Sequence, residues 1–346
     1  MECALSGSPS HEEVRISPAS SHPRSRSQAA WTWAQAFAGY ALLLTLILLL
    51  PARNFLPADR LYVDVVTSFA PQFATLALFM AVLLAWRRRW LRASAFALLL
   101  MPDLVSAVGG LGGPETDRTL GRVYAANLSE QPEAVAAAVD ELLTLEADLI
   151  WLTEFPEDPG EALIARIEAL EADYPYGIAW PAADGRSLRF LSRFPVRARE
   201  VFNPERAPGR PALRMTLDVR GATLTVFALH THPPAAGWSL QARNETLAWV
   251  AASLRRLQGD AIVVGDLNLS AFAPRFQRFV RAAGLDCASP WTCAVASWPS
   301  WLPPLATPID HVLTRGDLVV ENLRRGERTG SDHYPLVADI HYQRRR

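Results

Sequence analysis

The sequence predicts an α/β domain of two mixed β-sheets with helices on their outer faces, preceded by three transmembrane helices. Three observations lead to this fold class. Apolar runs long enough to cross a membrane lie before residue 112. After residue 115, strand-like and helix-like runs alternate over about 230 residues, which is the size of one domain. Short turns join some neighbouring strand-like runs into hairpins, so parallel and antiparallel strand pairs should occur together.

Residues 1–52 divide into a polar tail and an apolar run. Residues 1–28 are rich in Ser, Pro, His and Arg, so we expect a disordered tail. Residues 29–52 carry no charge and include a leucine-rich centre, which predicts a first transmembrane helix. A cleaved signal peptide is the alternative, but the apolar run is long, starts late and lacks a small-residue cleavage site before Arg53.

Two further apolar runs predict the second and third transmembrane helices. Residues 65–86 carry no charge, and Trp86 and Trp90 stand where aromatic side chains mark a membrane interface. Residues 93–111 form the third run, which Pro102 and Asp103 interrupt. A kinked helix packed against two neighbours would tolerate both residues, so we expect a third span here.

The arginines between the spans predict the orientation of the chain. The second connection contains four arginines, whereas the first contains Arg53 and Arg60 with Asp59 beside them. The positive-inside rule therefore places the tail and the second connection in the cytoplasm and the domain after the third span outside. With only two spans the domain would be cytoplasmic. Residues 112–118 form a glycine-containing linker to the domain, which we expect to cover residues 119–346.

The first half of the domain follows a strand, helix, strand, helix pattern. Pro132 suits the first turn of a helix, and apolar residues repeat on one face of both helix-like runs. Arg220-Gly221 forms a turn between two strands, which predicts a hairpin. The predicted strands are 122–126, 148–153, 187–192, 211–219 and 222–229, and the predicted helices are 132–146 and 160–173.

The second half repeats the alternation. Gly259 and Gly284 close two helix-like runs, as glycine often does at a helix carboxyl end. The predicted helices are 239–257 and 274–283, and the predicted strands are 261–264, 307–314, 317–323 and 336–342. Cys287 and Cys293 enclose a short loop that would close as a disulfide in an oxidising compartment, or would remain as two buried thiols.

Polar side chains stand where the apolar runs of the domain end. Because ligands meet α/β folds at strand ends, these side chains could share one edge. They are Asn127, Glu154, His230, His232, Asp266 and Asn268, joined later in the chain by the pairs Asp310-His311 and Asp332-His333.

This set of residues suits attack of water on phosphorus. A hard divalent cation prefers oxygen ligands such as Glu154, Asp332 and the amide of Asn127, and it offsets charge on a phosphoryl group. The chain contains neither the Gly-x-Ser-x-Gly motif of serine hydrolases nor the His-Glu-x-x-His motif of zinc proteases. A net charge of −1 also gives no basic footprint for nucleic acid, which makes nucleic acid the weaker candidate substrate.

The motifs resemble those of the endonuclease/exonuclease/phosphatase superfamily, in the same order and over residues 119–346. The resemblance implies a four-layered α/β sandwich and phosphoester hydrolysis that depends on Mg²⁺ or Mn²⁺. The matching pieces are Asn127 after its strand, Trp151-Leu152-Thr153-Glu154, Leu191-Ser192-Arg193-Phe194-Pro195, Thr231-His232-Pro233, Gly265-Asp266-Leu267-Asn268, Ile309-Asp310-His311-Val312 and Ser331-Asp332-His333-Tyr334-Pro335.

The resemblance also implies a role for each residue. Glu154 would bind the metal with help from Asn127 and Asp332. Asp266 would orient or deprotonate the attacking water, and Asn268 would hold the phosphate. Asp310 would orient His333, which would stabilise the transition state or assist proton transfer.

The Thr-His-Leu motif usual in the superfamily is Thr-His-Pro in this chain. We expect His232 to contact the phosphate because it stands in this motif, with His230 close behind. We expect His311 to be mainly structural.

Three spans before such a domain are similar to the membrane-anchored bacterial branch that includes VanJ-like and YafD-like proteins. This architecture implies a multi-pass protein of the bacterial cell membrane, bound to the bilayer through its spans, with an extracytoplasmic catalytic domain. A lipid-linked phosphate or pyrophosphate is then the favoured substrate. An extracytoplasmic nuclease and a non-catalytic membrane binding module on the same fold are the alternatives.

Overall fold

The computed structural model describes residues 60–109, 115–180, 187–205, 209–287 and 289–344. The predicted tail and the predicted first span therefore lie outside the described residues.

Eleven strands in the described segments form two sheets. These segments form strands because they are rich in β-branched and other apolar residues, and several of the strands are buried on both faces. The strands are β1 Thr116–Asn127, β2 Leu149–Phe155, β3 Ile178–Trp180, β4 Ser187–Ser192, β5 Val196–Phe202, β6 Ala212–Val219, β7 Ala222–His230, β8 Asp260–Asp266, β9 Asp310–Arg315, β10 Leu318–Arg325 and β11 Leu336–Gln343.

Seven α-helices and one short 3₁₀-helix, Pro303–Leu305, complete the described segments. The α-helices are α1 Leu61–Ser68, α2 Ala70–Trp86, α3 Trp90–Gly109, α4 Pro132–Leu145, α5 Glu161–Glu171, α6 Gly237–Arg256 and α7 Pro274–Ala283.

Both sheets are mixed. The first has the strand order β10-β11-β1-β2-β4-β3, and the second has the order β5-β6-β7-β8-β9. In each sheet one central pair is parallel, β1 with β2 and β7 with β8, while the remaining pairs are antiparallel. A parallel pair needs a crossover, which α4 and α6 provide.

Three buried clusters give the domain its layers. Trp151, Met215 and Val264 belong to a cluster between the two sheets. A second cluster joins the second sheet to α6 and α7, and a third joins the first sheet to α4 and α5. The predicted architecture of two mixed sheets flanked by helices is confirmed.

The predicted elements of the domain occur at or near their expected positions, with three differences. Strand β1 begins at Thr116, inside the segment predicted as a linker. Strands β3 and β5 were not predicted. β3 has only three residues, and β5 is a mostly exposed edge strand whose pattern carries little apolar signal.

The predicted second span, residues 65–86, is not one helix. Helix α1 ends at Ser68 and α2 starts at Ala70, with a bend of 51° between them. Pro71 lies in the first turn of α2, where its missing N–H favours a helix start over a helix interior. Residues 65–86 therefore belong to two helices with a bend between them, and a single span over this range stays a prediction.

The predicted third span corresponds to α3, which starts at Trp90 and has Pro102 in its interior. Within the described residues, only the segment Trp90–Val108 is a single helix long and apolar enough to cross a membrane. The bent pair α1–α2 would make a second crossing if it spans as one unit. Three transmembrane helices are thus not established by the described part of the chain.

The helices α1–α3 contact the α/β domain at one end. Gln72 Nε2, in the first turn of α2, donates to the carbonyl of Ala306 at 3.1 Å. Near the end of α3, the Ser106 and Ser289 hydroxyls lie 2.8 Å apart, and Trp291 Nε1 donates to Asp103 at 3.2 Å. Asp103, the acidic residue that interrupts the third apolar run, therefore has a hydrogen-bond donor from the domain.

The two cysteines of the predicted loop form a disulfide. Cys287 and Cys293 have Cα atoms 5.3 Å apart, inside the usual range for such a bond. The alternative of two buried thiols does not hold in this structure.

Candidate functional site

The carboxyl ends of four central strands bring the predicted side chains to one edge. In the first sheet, Asn127 at the end of β1 pairs with Thr153, next to Glu154. In the second sheet, His230 at the end of β7 pairs with Asp266 at the end of β8. Because both parallel pairs end at the same edge of the sandwich, side chains far apart in the sequence become neighbours.

A close contact between the sheets positions this edge. The indole Nε1 of Trp151, on β2, donates to the carbonyl of Leu229, on β7, at 3.0 Å. Gly265 lies against this contact with φ +127°, and a Cβ there would be 2.0 Å from the Leu229 oxygen. Glycine is required at this position because any side chain would force the strands apart.

Left-handed backbone conformations surround the site. Ser129, Glu154 and Asn268 have φ values of 49°, 49° and 46°, which are uncommon for residues with a side chain. Each follows or ends one of the central strands. Such conformations carry a cost that functional sites often retain, because the turn aims a side chain at a ligand.

Asp266 is buried and accepts several hydrogen bonds. Asn127 Nδ2 donates to its Oδ2 at 3.1 Å, and the backbone N–H and Nδ2 of Asn268 donate at 2.7 and 3.1 Å. Burial, followed by the negative charge of Asp310, raises the pKa of Asp266 to about 7. Its carboxylate can therefore accept a proton near neutral pH.

His333 and Asp310 form a buried pair. Asp310 Oδ2 lies 2.8 Å from His333 Nδ1. Burial alone would lower the pKa of His333, but the charge of Asp310 and the hydrogen bond between them raise that pKa to about 10. Burial would raise the pKa of Asp310, but the charge of His333, its hydrogen bond and the contacts with Ser297 and His311 together keep the pKa of that carboxyl below its ordinary value.

The loop before β11 holds Asp332 in a network of donors. Trp298 Nε1 donates to Asp332 Oδ2 at 3.0 Å, and the Ser129 hydroxyl donates to Oδ1. Ser331 ties the loop to β1 because its hydroxyl donates to the carbonyl of Asn127 at 2.7 Å. His333 Nε2 lies 4.0 Å from Asp332 Oδ1. The loop therefore presents a carboxylate and an imidazolium side by side.

Arg210 is a site residue that the sequence analysis did not identify. It is buried, its Nη1 lies 2.7 Å from His230 Nε2, and its Nη2 lies 3.6 Å from Glu154 Oε1. His230 Nε2 is itself 3.2 Å from the same Glu154 oxygen. Arginines are common in this chain and Arg210 precedes a strand without any motif, so its sequence carries no distinguishing signal.

The remaining histidines differ in position. The ring of His232 packs edge-on against the ring of Trp238, with the ring centroids 5.6 Å apart. His230 contacts Glu154, while the predicted phosphate contact of His232 stays a prediction. His311 Nε2 lies 2.8 Å from the carbonyl of Leu269, and burial lowers the pKa of His311 to about 4. It therefore contributes a neutral, structural side chain.

A cavity of about 460 Å³ opens at this edge, a volume typical of small-molecule sites. Its lining includes both the predicted polar residues and part of the α1–α2 segment. The predicted residues on its wall are Asn127, Glu154, Asp266, Asn268, Asp332 and His333, with Arg210 beside them.

The donor set fits a hard divalent cation. Glu154 and Asp332 offer carboxylate oxygens, and the amide oxygen of Asn127 keeps a lone pair besides the one used by the Ser129 N–H at 3.0 Å. A second group of potential ligands, Asp266, Asp310 and His333, has atoms within 4.8 Å of one another. The hydrogen bond between Asp310 and His333 already occupies that group, which suits proton transfer better than metal binding.

Comparison with solved structures identifies similar folds. An endonuclease/exonuclease/phosphatase from Beutenbergia cavernae is 20% identical, with a TM-score of 0.50 over 64% of this chain and 72% of that one. One from Bacteroides vulgatus is 16% identical, with a TM-score of 0.52 over 64% and 99%. Truncated Caenorhabditis elegans TDP2 is 15% identical, with a TM-score of 0.50 over 64% and 97%.

Comparison with protein families gives a match over more than half of the chain. The model of the Endonuclease/Exonuclease/phosphatase family matches residues 120–333, from β1 to the Ser331-Asp332-His333 loop. No curated protein is significantly similar to the chain. The family match, together with the shared fold, shows that the chain belongs to the endonuclease/exonuclease/phosphatase family, whose members are hydrolases acting on phosphoester bonds.

Proposed function

We propose that the protein is a membrane-tethered, divalent-metal-dependent phosphoester hydrolase that acts on a lipid-linked phosphate or pyrophosphate at the outer face of the cell membrane. One observation carries the proposal. The cavity that contains the acid–base and oxygen-donor residues is also lined by the segment that joins α1 to the apolar helix α2. The phosphate group and the apolar chain of one substrate could therefore bind in the same cavity.

Asp266 activates the attacking water in this proposal. Its pKa of about 7 suits a base that must be ionised before the reaction and accept a proton during it. The amides of Asn127 and Asn268 hold the carboxylate in position, so its orientation does not depend on the substrate. Asn268 Nδ2 also donates to the Thr231 carbonyl at 2.9 Å, so the proposed contact of Asn268 with the phosphate requires one of its two hydrogen bonds to exchange.

His333 acts as the positive partner of the phosphate. Its raised pKa keeps the imidazole protonated at neutral pH, and Asp310 fixes the ring through Nδ1. Nε2 can then stabilise a phosphoryl oxygen or donate a proton to the leaving oxygen. Asp266 and His333 thus have pKa values shifted in a way that separates base from acid.

Glu154, Asp332 and Asn127 would hold the cation, Mg²⁺ or Mn²⁺. A bound divalent cation would offset negative charge that develops on the phosphoryl group. Arg210 and His230 orient Glu154, and the Arg210 guanidinium adds a fixed positive charge next to the cavity.

Four features support a membrane location with the domain outside. The connection between α2 and α3 holds Arg87, Arg88 and Arg89, and the adjacent Trp86 and Trp90 are mostly exposed, as in an interfacial belt. The domain contacts the opposite ends of these two helices. The positive-inside rule then puts the domain on the outer side, where the Cys287–Cys293 disulfide would be stable.

The catalytic part of the proposal is tested with the purified full-length protein in detergent and Mg²⁺. We expect release of phosphate from a polyprenyl pyrophosphate, and a large loss of the rate in Asp266→Ala and His333→Ala. Unchanged rates in both variants would exclude the assigned mechanism. Cleavage of plasmid DNA far faster than any lipid substrate would instead favour a nuclease, and no hydrolysis of any ester would favour a binding module.

The topology is tested by reporter fusions after residue 115 and within the Arg87–Arg89 connection. We expect a periplasmic-type reporter to be active after residue 115 and inactive in the connection. A reporter active only in the cytoplasm after residue 115 would contradict the outer-face placement.

A further inference from the structure

The bend between α1 and α2 forms one wall of the catalytic cavity. We define the elbow as residues 64–69, the last turn of α1 and the residue at the bend. Four of its members line the cavity, namely Asp64, Val65, Ser68 and Phe69. None of them belongs to the part of the chain that the family match covers.

A buried ion pair joins the elbow to the segment that follows β8. Arg243, on α6, is fully buried, and its Nη2 bonds to Asp64 Oδ2. The other terminal nitrogen, Nη1, donates to the backbone carbonyl of Asn268 at 3.0 Å. One guanidinium thus connects the elbow directly to the residue proposed to hold the phosphate.

A second attachment lies one helical turn further along the elbow, at Ser68. The Thr307 hydroxyl donates to the carbonyl of Ser68 at 2.9 Å and lies 3.0 Å from the Ser270 hydroxyl. Thr307 and Ser270 also line the cavity. The elbow is therefore held at two points, each of which continues into the cavity wall.

The cavity lining combines polar and apolar groups. The edge of the sandwich supplies carboxylates, amides and the imidazolium, whereas the elbow supplies the apolar side chains Val65 and Phe69 besides Asp64 and Ser68, and Pro233, Pro234 and Leu269 add further apolar lining. A phosphoester bound with its phosphorus at the polar side would direct its ester chain at the apolar side. An apolar chain would lose contact with water there, which favours its binding.

We propose that the elbow is the substrate-selecting wall of the site, which favours phosphoesters with a long apolar chain, and that Asp64 and Arg243 are positioning residues that hold it there. The inference rests on the proposed function and adds the selecting element to it. The apolar chain of the substrate, which takes no part in the reaction, would then gain binding energy from residues outside the family domain.

The test compares substrates that differ only in chain length. The pairs are methyl and hexadecyl 4-nitrophenyl phosphate for diester hydrolysis, and methyl and hexadecyl phosphate for monoester hydrolysis, with full-length protein in detergent and Mg²⁺. The measured quantity is the ratio of kcat/KM for the hexadecyl ester to that for the methyl ester. We expect the wild type to favour the hexadecyl ester by at least about tenfold.

Two elbow variants are compared with two matched controls. Phe69→Ala and Asp64→Asn should lower the ratio by about tenfold, mainly through KM for the hexadecyl ester. Phe79→Ala removes the same ring from an exposed position on α2, and Asp140→Asn breaks an exposed ion pair with Arg166. Both controls should keep the wild-type ratio.

The outcomes separate the inference from the proposed function. A wild type that hydrolyses the methyl ester without preferring the hexadecyl ester would overturn the inference alone. An equal loss on both esters in the elbow variants would also overturn it, because the elbow would then only support the fold. Hydrolysis of neither ester class by the wild type, together with no release of phosphate from the polyprenyl pyrophosphate, would overturn the proposed function and the inference with it. If the wild type hydrolyses only the polyprenyl pyrophosphate, the inference alone is overturned, because the site then does not select for a long apolar chain as such. If Asp64→Asn fails to fold, Phe69→Ala decides the result.

Discussion

Replacement of Gly265 by alanine tests the contact that holds the two sheets in register at the site. A Cβ on this residue would lie 2.0 Å from the Leu229 carbonyl oxygen and 2.7 Å from Trp151 Nε1. Cβ atoms do not approach other atoms closer than 3.0 Å, so the backbone at Leu229 or at residue 265 must shift by at least 1.0 Å. The Leu229–Gly265 and His230–Asp266 pairs are the last of that parallel ladder, and both would be disturbed.

Two energetic contributions can be separated by a matched control. Alanine at φ +127° carries a backbone cost of about 1–3 kcal/mol, and the overpacked contact adds about 1–3 kcal/mol. Gly259 precedes the same strand with φ +114° and has no atom near its Cβ position. Gly259→Ala should therefore show the backbone cost alone.

The assay combines thermal unfolding with phosphoester hydrolysis by the full-length protein. We expect Gly265→Ala to melt about 2–12 °C below Gly259→Ala, since the extra 1–3 kcal/mol acts on a domain of this size. We also expect its kcat to fall by about 100-fold, because a 1 Å displacement of Asp266 misaligns the attacking water. Equal melting temperatures and equal kcat values for the two variants would refute the reasoning.

Three further predictions concern charges in the site. Asp310→Asn should lower the pKa of His333 from about 10, because the charge and hydrogen bond that oppose burial most strongly are lost while the charges of Asp266 and Asp332 remain, so the alkaline limb of the pH–rate profile should move to lower pH. For metal-free protein, the raised pKa of Asp266 means that its carboxyl opposes folding as the pH rises from about 4 through about 7, so Asp266→Asn should gain melting temperature over the wild type at pH 8 but not at pH 4. A constant difference across that range would contradict the assigned pKa. Arg210→Lys should lower the apparent Mg²⁺ affinity and the rate by about 10- to 100-fold, because a point charge cannot contact both Glu154 and His230. Titration of the rate with Mg²⁺ measures both quantities, and a titration curve equal to that of the wild type would contradict the prediction.

Part of the fold was predictable because local patterns and packing agree. β2 is an apolar run buried on both faces, and the turn at Arg220-Gly221 joins β6 to β7 as expected. β5 escaped prediction because an edge strand needs no apolar face, and its hydrogen bonds depend on β6. The break between α1 and α2 was not predicted, because hydropathy alone does not distinguish apolar residues that face lipid from those that pack against the protein.

For the site, the sequence by itself determined which residue types stand at strand ends, since Asn127, Glu154, Asp266 and His333 belong to short ordered motifs. Only the tertiary structure decided which side chains meet. Arg210 carries no motif, and its burial beside His230 depends on the packing of the chain around it.

The elbow shows the same division most clearly. Asp64 and Arg243 are 179 positions apart, and each alone is an ordinary charged residue in a helix. A charge becomes a structural constraint only when burial removes it from water and leaves one partner within reach. Sequence patterns therefore predicted the chemistry of the site, while long-range packing decided that a helix outside the family domain forms part of its wall.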